Sequence, residues 1–178
     1  ERVALDNAAC HARIGFEGET LIAAYCAAGS TTARLVAVES TGSPTRTLLA
    51  DGGLLPFWSA STDGSKIFVI AQDNHQARVL TKDGTSPAPS VSIEPDVEEG
   101  FILHDGSAVL YRKGTTLRRA PLGGAIAPVT VATGEARRIL DVSFDQTQVL
   151  YHALPGKPAI GSEPDGERYV DLLTIPTT

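Results

Sequence analysis

The sequence has no methionine, only two cysteines and an aromatic share of 6% over 178 residues. With no Met even at the start, the chain reads as a processed product or a piece of something longer. Cys10 and Cys26 have no CxxC partner, which excludes a zinc knuckle. They read as two buried thiols or as one disulfide, and a disulfide would point to an oxidising compartment. No apolar run approaches the ~18 residues of a membrane-spanning helix, and no signal-peptide core follows Glu1. Basic charge is in deficit: 15 Lys and Arg against 21 Asp and Glu give a net −6. That balance argues against a nucleic-acid binder, which needs a basic face. Also missing are the G-x-S-x-G elbow, H-E-x-x-H, the P-loop, G-x-G-x-x-G and any N-x-[ST] acceptor.

What is present is punctuation. Seventeen Gly and eleven Pro are spread along the chain and cut it into short apolar runs. Asp-Gly recurs at 51–52, 63–64, 83–84, 105–106 and 165–166. Between apolar runs it is a hairpin signal, since a type I′ turn needs positive φ at both central residues. Five copies predict a meander of antiparallel strands. The longest stretches free of Gly and Pro, 65–83 and 135–154, contain β-branched runs broken by polar residues, and they read as strand–turn–strand.

Four segments superimpose: GFEGETLIAAYC (15–26), STDGSKIFVIAQ (61–72), LHDGSAVLYRKG (103–114) and SFDQTQVLYHAL (143–154). Each is a polar turn followed by an almost uninterrupted apolar strand. Anchored on Gly18, Gly64, Gly106 and Gln146, they recur at periods of 46, 42 and 40 residues. That spacing is that of propeller blades, and an apolar strand suits a sheet covered on both faces. The predicted fold class is all-β, a β-propeller of four-stranded antiparallel blades with about four repeats, approximately 7–50, 51–93, 97–132 and 134–178. First strands are expected at 10–14, 55–59, 99–103 and 139–144. Second strands are expected at 21–26, 66–71, 108–112 and 148–152, and third strands at 33–39, 77–82, 116–120 and 168–175. Outer strands are expected at 46–50, 89–93 and 128–132. Residues 1–6 resemble the outer strand at 45–50 and would either close a four-bladed ring or end a preceding blade.

The segment LPFWSASTDGSKIFV (55–69) resembles the repeat of TolB-like, WD-repeat-like β-propellers, which reads roughly P-x-W-S-P-D-G-x-x-I-A-F. Trp58-Ser59 and Asp63-Gly64 match it; Thr62 stands where Pro is usual, and the turn is longer by about two residues. TRTLLADGG (45–53) looks like the outer strand and the crossover into the next blade, with weaker copies at 97–120 and 137–175. The resemblance implies a six-bladed parent more readily than a four-bladed ring. It further implies a protein-binding module of the bacterial cell envelope, or a lid or specificity domain attached to a peptidase. The shared motif is structural, so it carries no functional residues over.

Candidate chemistry is thin. His11, His75, His104 and His152 fall on different strands and rims, so no metal site is expected. The Asp-Gly turns lack the alternating oxygen ligands of a calcium loop. Asp96, Glu98 and Glu99 form an acidic run in a crossover, expected on the same rim as Asp51, Arg137 and the turn carrying His75. That rim could present alternating charge to a protein partner. Trp58 reads as packing between blades, or as a ligand platform if exposed. The Pro- and Gly-rich loop 154–168 reads as a recognition loop or a tolerated insertion. A three-residue turn at Glu17–Glu19 would set Cys10 opposite Cys26 on neighbouring strands, within reach of a disulfide. The expectation is therefore a non-catalytic, extracytoplasmic binding or scaffold propeller, periplasmic or secreted, with no cofactor. Its partner would be a protein or peptide, with self-association through open blade faces as a further possibility. The rival is a gating propeller of a peptidase, or a propeller hydrolase or lyase.

Overall fold

The computed structural model describes residues 13–17, 20–26, 33–39, 45–133, 136–143, 145–153, 161–162 and 169–174. All regular structure among them is β-strand. The chain divides into two compact units, residues 1–95 and 96–178.

The first unit is one antiparallel sheet of seven strands in sequence order. They are β1 (Arg13–Glu17), β2 (Thr20–Cys26), β3 (Ala33–Glu39), β4 (Thr45–Ala60), β5 (Lys66–Ala71), β6 (Ala77–Thr81) and β7 (Ser90–Ser92). The outer strand expected at 46–50 and the first strand expected at 55–59 are one continuous strand, β4. It ends one four-stranded repeat and begins the next. Asp51-Gly52-Gly53 is not a break but a bend: Gly53 has φ +68°, and the register shifts against both β3 and β5 near it. A Cβ on Gly53 would meet nothing within 4 Å, so backbone conformation alone calls for glycine there.

That bend folds the sheet back on itself. In a flat sheet β2 and β6 would lie four strands apart, ~19 Å at about 4.8 Å per strand. Yet Lys82, just after β6, donates through Nζ to Thr20 Oγ1 at 3.0 Å and pairs with Glu39 Oε1 at 2.7 Å. One core cluster accordingly gathers Ile22, Leu35 and Leu49 with Trp58, Ile67, Val69 and Leu80.

The second unit holds two four-stranded sheets. One comprises β8 (Glu99–Ile102), β9 (Ala108–Lys113), β10 (Thr116–Pro121) and β11 (Val129–Ala132). The other comprises β12 (Ala136–Val142), β13 (Gln148–Ala153), β14 (Gly161–Ser162) and β15 (Tyr169–Thr174). Leu110, Leu117 and Ala132 from the first pack on Ile139, Val149 and Tyr151 from the second. Both units therefore repeat one theme, a four-stranded sheet laid on a four-stranded sheet. The order of the last sheet, β12-β13-β15-β14, corrects the expected blade. Its outer position is taken by β14, a two-residue strand inside the predicted loop 154–168, because Gly161 and Ser162 pair with Val170 and Tyr169. The N-terminal strand proposed for that place lies outside the described residues.

The second strands form the heart of each repeat. Ile67, Phe68, Val69 and Ile70 on β5 are all fully buried, as are Ala108, Val109, Leu110 and Tyr111 on β9. Consecutive residues of a strand point to opposite faces, so four buried in a row means that both faces are covered. Each large side chain so placed contributes ~1.5–3 kcal/mol of transfer free energy.

The polar turns that precede three of these strands are built alike. Gly64 N–H donates to Ser61 O, Gly106 N–H to Leu103 O, and Gln146 N–H to Ser143 O, each at 2.8 Å. All three donors sit at positive φ, +66°, +69° and +61°. Asp63, Asp105 and Asp145 do not share that sign, so the turns are not the expected type I′ hairpins. They are four-residue turns whose last residue is left-handed, with the Asp one place earlier free to cap the loop. Between β9 and β10, Gly114-Thr115 makes the two-residue connection, with Gly114 at φ +58° as a II′ turn requires.

Of the first strand expected at 10–14, residues 13–14 fall in β1 and 10–12 lie outside the described residues; Glu17 pairs with Thr20, so only two residues separate β1 from β2. The expected disulfide joins Cys10 to Cys26. Cys26 ends β2, and Cys10 lies outside the described residues.

Candidate functional site

The rim expected to bind a partner is assembled separately in each unit. In the first, Gln72 N–H donates to Gly53 O at 2.7 Å, which brings the turn after β5 to the bend of β4. His75, at φ +49°, and Asp51 therefore sit at the same end of the sheet. His75 is exposed, and the side chain of Asp51 lies outside the described residues. Trp58 is 3% exposed within the core cluster, so it is packing and cannot serve as a ligand platform.

In the second unit the acidic crossover is not a free patch of charge. Arg112 on β9 is the hub. Its NH1 meets Glu98 Oε2 at 2.6 Å and donates to Gly114 O at 2.7 Å, while its Nε donates to Glu99 Oε1 at 2.9 Å. Glu98 Oε1 accepts the Gly114 N–H at 3.1 Å. Glu99 Oε1 also accepts the N–H of Ile139 on β12 at 2.6 Å, so this carboxylate joins the two sheets. β12 is an edge strand whose outward N–H groups need acceptors. The arrangement corrects Glu99 as a rim contact: its side chain is 16% exposed, and its Oε1 holds both Arg112 and Ile139. Glu98 remains 44% exposed, and Asp96 is 73% exposed with Lys113 Nζ 3.4 Å away. Arg137 lies on β12 at the same end, with its side chain outside the described residues.

The Asp carboxylates of the turns are likewise spoken for. Asp63 Oδ1 accepts from Ser61 Oγ at 2.6 Å, Ser65 Oγ at 2.9 Å and Ser65 N at 3.0 Å. The Ser61 hydroxyl, then the Ser65 amide and hydroxyl, hold its pKa down from 3.8 to about 2. Asp145 is lowered in the same way, first by Ser143 and then by Thr147; Asp105 is lowered first by the Ser107 amide. Asp83 caps the loop after β6 through Thr85 and is lowered too.

One feature of the second unit was not visible in the sequence. Between β8 and β12, the first strands of the two sheets, lies a hollow of about 50 Å3 lined by Phe101, Ile102, Leu103, His104, Asp141 and Val142. Ile102 and Leu103 are buried; His104 and Asp141 are exposed. No group of three or more His, Cys, Asp or Glu suited to a metal occurs among the described residues. No helix among them is long and apolar enough to cross a membrane.

No protein-family profile matches the chain, and no curated protein does. Solved structures do. A prolyl endopeptidase, from a study of inter-domain dynamics in catalysis and specificity, superposes with a TM-score of 0.62 at 16% identity. TolB from Acinetobacter baumannii superposes with a TM-score of 0.56 at 17% identity. The matches cover 90% and 86% of this chain but only 28% and 40% of those proteins. At such identities the likeness concerns fold alone. The repeated sheets, the shared turn and these superpositions establish a TolB-like β-propeller fold for the chain.

Proposed function

We propose that the chain is a non-catalytic propeller module that binds a protein or peptide outside the cytoplasm. The observation that carries the reading is the employment of its carboxylates. Asp63, Asp83, Asp105 and Asp145 cap turns, Glu99 joins two sheets, and Glu39 holds Lys82. General acid–base work needs a carboxylate with a proton to exchange, and these are held within the fold as hydrogen-bond acceptors or ion-pair partners. What remains at the surface of each rim is polar and exposed, His75, Asp96 and Glu98 among it, as binding loops on a rigid scaffold are. The extracytoplasmic location rests on the sequence resemblance to TolB-like repeats.

A photo-crosslinking residue placed at His75 or Asp96 tests this. Cross-links from either site to a single protein partner, weakened by Asp96→Lys, are the expected result. Cross-links confined to a residue in the Asp63 turn would refute the rim assignment. The rival reading, an enzymatic propeller, draws support from His104 and Asp141 lining one hollow. Turnover of peptide substrates that disappears in Asp141→Asn would favour it.

A further inference from the structure

We propose that the hollow between β8 and β12 receives the free amino terminus of a peptide whose first side chain is small and aliphatic. This rests on the reading of the chain as a peptide- or protein-binding module and names one contact within it. The floor is apolar: Phe101, Ile102, Leu103 and Val142 supply four of the six lining residues. A volume of about 50 Å3 is several times the ~10–15 Å3 that one water needs. Water over such a floor finds few of the two to four polar partners it needs, so an apolar group that displaces it gains affinity. The space accommodates an alanine or valine side chain.

The exposed part of the lining carries one charge of fixed sign, Asp141. Its Oδ1 accepts the N–H of Val142 at 2.8 Å, which fixes the carboxylate plane beside the hollow. The second oxygen has no hydrogen bond among the described residues. A carboxylate held next to a small apolar socket matches an ammonium borne on the same carbon as a short side chain, which is the chemistry of a peptide N-terminus. A charge-assisted hydrogen bond of this kind is roughly twice as strong as a neutral one. The chain's net charge of −6 favours a cationic ligand end.

The probe is alanyl-alanine amide, followed by NMR of the backbone amides of residues 101–104 and 141–142. Saturable shifts at these amides with Kd on the order of 1 mM are expected for so small a ligand. N-acetylation of the probe, or Asp141→Asn, which retains the acceptor for Val142, should each weaken binding by about tenfold. Val142→Leu, which fills the hollow, should abolish the shifts, and a phenylalanyl probe should bind more weakly than the alanyl one. Absence of shifts at about 10 mM probe, or equal binding of the acetylated probe, overturns the inference. Rim cross-linking that survives such a failure confines the error to the hollow; loss of both removes the binding-module reading itself.

Discussion

At the scale of single residues, the three equivalent turns form a small natural mutant series. Gly64 and Gly106 occupy the left-handed position without strain, whereas Gln146 adopts φ +61° with a side chain attached. A left-handed conformation costs a non-glycine residue ~1–2 kcal/mol. Gln146→Gly should therefore stabilise the protein by about 0.5–1 kcal/mol in urea denaturation, and Gly106→Ala should destabilise it by about 1 kcal/mol. Gln146 Oε1 lies 3.5 Å from the Asp105 N–H, too long a contact to offset the gain. Asp63→Ala removes three hydrogen bonds from an exposed loop and should cost ~1–2 kcal/mol by the same measurement. The equivalence of these positions was legible: aligning Gly64, Gly106 and Gln146 on the sequence picks out three turns that the structure builds alike. The turn type was not, because Asp-Gly is compatible with several turns. Which one forms depends on the strands that it joins.

At the scale of elements, the second strands were readable because burial on both faces imposes a continuous apolar run. β5, β9 and β13 fall where the sequence put them to within a residue. β4 was misread because Asp51-Gly52-Gly53 has the composition of a break, and only the pairing on either side shows that the strand runs through it. β14 was unreadable, since two residues in a Pro- and Gly-rich stretch carry no periodicity. The same difference separates the parts of the candidate site. The acidic run was visible as composition, but Arg112 as its hub and the meeting of His104 and Asp141 at one hollow depend on how strands and sheets align. Glu99→Ala should cost about 2 kcal/mol in chemical denaturation, because it leaves the Arg112 Nε–H and the Ile139 N–H without their shared acceptor. A double-mutant cycle of Glu99 and Arg112 should return a coupling of ~1–2 kcal/mol. Lys82→Met, which removes an ion pair with a half-exposed Glu39, should cost under ~1 kcal/mol.

For the whole molecule, the lowered carboxylates make stability a function of pH. Asp63, Asp83, Asp105 and Asp145 all bind protons less readily folded than unfolded. Their contribution is complete above the unfolded value of 3.8 and disappears as pH falls through the folded one, about 2 for Asp63. The melting temperature should be flat in this respect above pH ~5 and fall steadily between pH ~4 and ~2. Converting Asp63, Asp105 and Asp145 to Asn should flatten that slope. An unchanged slope in the triple variant would show that other groups control acid unfolding.

The continuity of β4 has a consequence for how such a chain could gain or lose a repeat. A recombination joint placed where one sheet ends and the next begins would cut a single strand in two, and each half would lose its neighbour's ladder. A joint placed in the polar turns before β5 and β9 meets interchangeable sequence, Asp-Gly-Ser at 63–65 and 105–107, and leaves every strand whole. At that junction the module that keeps its strands whole is offset from the visible sheet by one strand: it runs from turn to turn.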